Sequence, residues 1–313
     1  MGLARDTSYD PITLPFVTFG FADGERAIEF NANKKRFHCV LGTYQCTVRD
    51  TLPDERPFVV SPDSTWEAFV LQYNVWLRPR NGGDSMQLTT DGTEEWYYGS
   101  GPPRPYQMMR NDTIQRPSLR WSPDSKKIAV SRQDNRGVAH MHYISYTPQR
   151  PKHFSQPYAL PGDSVGPLPA VHVLTLPATL AANGGPNGGR RSIADAGTNA
   201  AVQLPVRPNG ISLGGGGGGG GFGGQADSTW SKSSDRLHFT FLTRASKALY
   251  LIEADAAGTA RVLAKDSAKT WVETSPQDPP SWYVTEDGND AIWWSERDGW
   301  AHLYRFDRNG NLK

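Results

Sequence analysis

Gly162-Asp163-Ser164-Val165-Gly166 is a formal match to G-x-S-x-G, the nucleophile elbow that exposes a catalytic serine between a strand and a helix. The flanking chain decides whether Ser164 can do that chemistry. Pro161 abuts the first glycine, and Pro167 and Pro169 follow the second, so a helix after Ser164 would be broken in its first turn. The next residues, Ala170-Val171-His172-Val173-Leu174, alternate and are rich in β-branched types, which predicts a strand. Strand–loop–strand cannot aim helix N–H groups at an oxyanion. The match is read as chance, with no catalytic triad member in this chain.

Other residues with chemical potential give little more. His140 and His142 lie two apart on a predicted strand and so face one side, as two metal ligands might be placed, but no third ligand accompanies them. His302, in Trp300-Ala301-His302-Leu303-Tyr304, reads as a hydrogen-bonding strand residue. Cys39 and Cys46, the two cysteines, are too few for a structural zinc site. A short hairpin would bring them together, either as a disulfide in an exported protein or as two half-buried thiols on neighbouring strands. No metal and no cofactor is expected. The run Gly214 to Gly221 lacks the Lys-Ser/Thr of a phosphate loop.

Composition narrows the class. With 313 residues, a formal net charge of +1 and no basic cluster, the chain has no general attraction to nucleic acid or anionic lipid. No apolar stretch approaches the roughly 20 residues of a membrane span, and the first residues have no signal-type apolar core. A periplasmic or secreted location is expected if a longer precursor carries an upstream signal, and a cytoplasmic one otherwise.

The elements are short runs of Val, Ile, Thr, Tyr, Phe and Trp, bounded by Gly, Pro, Asn and Asp, which predicts an all-β fold of antiparallel strands. A repeat organises them. Ser61-Pro62-Asp63-Ser64 and its alternating strand recur as Ser122-Pro123-Asp124-Ser125, 61 residues later. Weaker copies are Ser231-Lys232-Ser233-Ser234-Asp235 and Thr285-Glu286-Asp287-Gly288. Each reads as a hairpin turn between two strands. The repeating unit is a four-stranded meander of about 40–60 residues, the size of a β-propeller blade, so the chain is expected to hold an incomplete ring of about five blades. Residues 181–227, rich in Gly, are expected to loop out as a flexible insertion.

Several stretches carry a more specific signal. Gln87 to Gly99 (QLTTDGTEEWYYG), Leu119-Arg120-Trp121-Ser122-Pro123-Asp124, Ser131 to Gly137, Met141-His142-Tyr143-Ile144 and Trp294 to Tyr304 (WSERDGWAHLY) occur in an order and spacing that resembles the N-terminal propeller of the dipeptidyl peptidase IV branch of the prolyl oligopeptidase family. The resemblance covers about Val59 to Lys313, apart from the glycine-rich stretch. It implies a propeller that gates and positions short peptides for a following α/β-hydrolase domain, which carries the serine, aspartate and histidine; this stretch alone is expected to be inactive. It places PYALPGDSVGPLPAVHVL in a propeller connection. It also implies a glutamate pair that grips the substrate's free amine. The corresponding places fall at Arg110 and Asn111, with Asp112 able to supply one carboxylate; Glu94-Glu95 lies too early. These three are the candidate substrate-binding residues, and homodimerisation is left open. The alternative reading is a stand-alone propeller that binds a protein or glycan without catalysis.

Overall fold

The computed structural model describes residues 19–32, 35–51, 57–109, 117–177, 197–204, 211–213, 228–243, 245–273 and 282–313. Candidates Arg110, Asn111 and Asp112 lie outside them. The chain divides into two compact units, residues 1–57 with 103–114, and residues 58–102 with 115–313.

The smaller unit is a meander of β1 (Gly20–Ala22), β2 (Ala27–Ala32), β3 (Lys35–Val40) and β4 (Gln45–Thr51), paired in that order. Its core forms where apolar residues face each other across strands: Phe30 pairs with Phe37, their rings stacked at 5.4 Å. Cys39 pairs with Cys46, and the two are joined as a disulfide, which resolves the open reading of these cysteines. The same unit contains a one-turn helix, α1 (Pro105–Met109). Pro105 holds its first position, where no N–H is needed, and the Gln107 side chain accepts from the Arg104 backbone N–H as in a capping box.

Among the described residues the larger unit holds four further sheets of three or more strands and one two-stranded hairpin. The second sheet is β5 (Phe58–Val60), β6 (Trp66–Leu71), β7 (Asn74–Pro79) and β8 (Met86–Gln87). The third begins with β9 (Trp96–Tyr98) and β10 (Leu119–Trp121), both paired with β11 (Lys127–Asp134). A separate hairpin, β12 (His140–Ser145) with β13 (Lys152–Pro157), intervenes before β14 (Leu168–Thr175) and β15 (Thr198–Ala201) complete the sheet. The fourth repeats this plan: β16 (Ile211–Leu213) and β17 (Ser228–Trp230) both pair with β18 (Arg236–Thr243), followed by β19 (Ala248–Asp255) and β20 (Ala260–Ser267). The fifth is β21 (Trp282–Val284), β22 (Asp290–Ser295) and β23 (His302–Asp307).

Two of these strands lie within the glycine-rich stretch. β15 and β16 fall inside residues 181–227, so that stretch does not lie wholly outside the scaffold. β15 forms the outer edge of the third sheet, and Val202 just beyond it is buried in the core between the third and fourth sheets. The strand there is only four residues long, and of its residues Thr, Asn, Ala and Ala only the threonine favours strands.

The four copies of the turn join β5 to β6, β10 to β11, β17 to β18 and β21 to β22. In each, the first hydroxyl residue receives the backbone N–H that opens the second strand: Trp66 N to Ser61 Oγ, Lys127 N to Ser122 Oγ, Arg236 N to Ser231 Oγ and Asp290 N to Thr285 Oγ1, all at 2.9–3.0 Å. The fourth position is left-handed every time: Ser64, Ser125 and Ser234 at φ 62°, 58° and 62°, and Gly288 at 68°. Between sheets the turn does further work. Asp63 N donates to Ser125 Oγ of the next sheet (3.0 Å), and Asp124 N to Ser234 Oγ (2.9 Å). Trp121 Nε1 donates back to Val59 O (3.0 Å), and Trp230 Nε1 to Arg120 O (3.1 Å). Apolar cores fill each gap: Ala68, Leu77 and Trp121 between the second and third sheets, Ala129, Val173 and Trp230 between the third and fourth. In the first three copies the motif is therefore both a turn and a latch to its neighbour.

Candidate functional site

Ser164 is exposed in the loop between β13 and β14, and the chain after it enters β14 with no intervening helix. The hydrogen bonding near it is of a loop kind, with Leu160 N donating to Asp163 Oδ2 at 2.7 Å. His140 and His142 share the exposed side of β12, and His142 Nδ1 lies 2.9 Å from His153 Nε2 on β13, the rings stacked. Among the described residues, no group of three or more His, Cys, Asp or Glu is placed to hold a metal. His302 lies exposed on β23 beside Tyr304.

A buried polar cluster around β9 and β11 was not singled out by sequence. The chain leaves the third sheet after β9 and returns at β10, and the base of this excursion is pinned where Ser118 N donates to Gly99 O (3.3 Å) and Gly99 N to Ser131 O (2.8 Å). Arg132, on β11, is only 4% exposed. Its guanidinium donates to Asp91 Oδ2 (2.7 Å) and sits over the rings of Trp96 (3.5 Å) and Tyr98 (4.2 Å). Tyr98 OH donates to Asp91 Oδ1 and accepts from Asn199 Nδ2, both at 3.0 Å; Asn199 Oδ1 meets His172 Nδ1 at 2.8 Å. Arg136 grips Asp134 with both ends of its fork and stacks on Trp96.

Electrostatics follow from this packing. Burial alone would raise the Asp91 carboxyl, but the hydrogen bonds from Arg132 and Tyr98 outweigh it and hold the group below the usual range. Burial, reinforced by Asp91, pushes the Tyr98 phenol up to about 12. Burial lowers His172, so its ring stays neutral. The network has a fixed anion, a fixed cation and neutral donors, with no nucleophile beside a base. The sequence signal that could have found it was the aromatic triplet Trp96-Tyr97-Tyr98 facing an Arg-x-Asp strand; Asn199, a hundred residues away, had none.

Successive antiparallel meanders, the second latched to the third and the third to the fourth through the repeated turn, have the form of a β-propeller. Residues 45–179 and 225–313 match the family described as the dipeptidyl peptidase IV (DPP IV) N-terminal region, and the chain belongs to that family. In structure it is similar to dipeptidyl peptidase 4 from Porphyromonas gingivalis, with TM-score 0.59 and 16% identity, over 95% of this chain and 39% of that one. It is also similar to a protein described as dipeptidyl aminopeptidase IV from Bacteroides ovatus, with TM-score 0.55 and 18% identity, over 91% of this chain and 34% of that one. The chain spans less than half the length of either, and at these identities the likeness concerns fold.

Proposed function

We propose that this chain is the propeller portion of a dipeptidyl peptidase IV-like serine peptidase, gating and positioning short peptides for an α/β-hydrolase domain that follows it. The observation that carries the reading is membership of the family over both sides of the glycine-rich stretch. On this reading Arg110, Asn111 and Asp112 meet the peptide, with Asp112 holding the free amine, and Ser164 is a loop serine. The nucleophile belongs to the following domain.

The test is made on the full-length protein. A fluorophosphonate probe is expected to label one serine outside residues 1–313, and Ser164→Ala is expected to keep both labelling and hydrolysis of dipeptide anilides. Labelling lost in Ser164→Ala would place the nucleophile in the propeller. A protein that neither labels nor cleaves any peptide would be a binding module.

A further inference from the structure

The fourth and fifth sheets meet differently from the others. Each sheet presents a cross-strand row towards the next. In the second sheet the row is Ala68–Leu77–Met86, and in the third Ala129–Val173–Ala200. In the fourth the same row is His238–Glu253–Arg261. Facing the first two rows stand Trp121 and Trp230; facing the third, the equivalent turn position is Val284. The latch serine is replaced as well, since Gly288 stands where Ser125 and Ser234 receive a neighbour's N–H. The fifth sheet therefore lacks both groups, indole and hydroxyl, that close the earlier gaps.

A cavity of about 460 Å³ lies there, lined by both turns and by the polar row. Its floor is organised. His238, 3% exposed, meets Glu253 (Nε2 to Oε2, 3.0 Å), and Arg261 donates to the other carboxylate oxygen at 2.7 and 2.8 Å. Its anions are all engaged: Glu253 by that pair, Asp235 by Ser231 and Ser233, Asp287 by Thr285 and Asn289, and Glu286 by Lys232. Two of its cations are held loosely or not at all. Arg308 has no hydrogen bond or ion pair among the described residues, and Arg236 only approaches Glu253 and Asp255 at 4.0 and 3.9 Å. Trp282 and Tyr283 supply apolar wall beside them.

We propose that this gap is a binding site for a small organic carboxylate, its oxyanion held by Arg236 and Arg308 and its body lying against Trp282 and Tyr283. Pockets of this size, apolar in part with a few convergent polar groups, are the usual form of small-ligand sites, and guanidinium forks match a carboxylate in plane and spacing. A bare inorganic anion would leave most of the volume and the aromatic wall unused. The inference does not rest on peptidase activity.

Calorimetric titration of the full-length protein with N-acetyl-tryptophan, N-acetyl-tryptophan amide and inorganic phosphate tests it. Saturable binding of the acid is expected, at least about tenfold weaker for the amide and in Arg308→Ala. A second variant closes the gap instead. Val284→Trp with Gly288→Ser restores the indole and the latch; a Cβ at Gly288 meets nothing within 4 Å, and serine holds the same left-handed angle in three sister turns. That variant is expected to melt no lower than the native protein and to lose binding. No saturable binding of the acid, or binding unchanged in the filled variant, would overturn the site. Phosphate binding as tightly as the acid and competing with it would overturn the organic ligand.

Discussion

At the scale of single residues, the third blade depends on a buried charge that its surroundings were built to hold. Arg132 is committed to Asp91 and two aromatic faces, and removing Asp91 would leave the guanidinium buried without its anion. The pH dependence has a definite sign. Asp91 is held below its ordinary value when folded, so its contribution is present at neutral pH and is lost as pH falls through the folded value. His172 is held neutral by burial while the unfolded ring takes up a proton near 6.5, so folding loses ground as pH drops below that point. Both act in one direction. Melting temperature is expected to fall from pH 7.5 to 5, less steeply in His172→Gln, with a further acid limb that is shallower in Asp91→Asn. A flat profile from pH 7.5 to 4 would contradict this account.

At the scale of elements, the S-P-D-S turn was the most legible feature because its chemistry is local: an opening hydroxyl, an Asp acceptor and a left-handed fourth residue all lie within five positions. What the repeat could not reveal was the latch, which joins residues 62 and 110 apart. It predicts an asymmetry between identical-looking serines. Ser64→Ala, Ser125→Ala and Ser234→Ala introduce the same small strain at the same backbone angle, yet only the last two remove an acceptor from a neighbouring blade. Each of those two is expected to cost about 1–2 kcal/mol in urea denaturation, and Ser64→Ala less than about 0.5. Equal costs would mean the latch contributes nothing. The strands hidden in the glycine-rich stretch show the opposite limit. Gly197 opens β15 at φ 79°, where a Cβ would fall 1.9 Å from Thr175 O, so this glycine is required by a close backbone approach. In sequence it is indistinguishable from the glycines around it. The candidate residues 110–112 were placed by family resemblance alone, and no local pattern of theirs speaks to structure.

At the scale of the molecule, the two compact units offer separate reporters. All ten tryptophans lie between Trp66 and Trp300, within the larger unit, while the disulfide Cys39–Cys46 lies in the smaller. Phe30, Phe37 and Cys39 form the small core of that meander. A four-stranded sheet with so few buried side chains is marginal without a cross-link. Closing a loop this short is worth about 2 kcal/mol by the chain-entropy argument, a large fraction of what such a core supplies. Reduction is therefore expected to raise amide exchange throughout residues 27–48 while the tryptophan fluorescence and its melting midpoint stay where they were. The larger unit has its own inter-blade cores and latches, none of which involves a cysteine. If the tryptophan midpoint instead fell together with protection of the meander, the two units would unfold as one cooperative body, and the stability of the blades could no longer be reckoned from their own contacts.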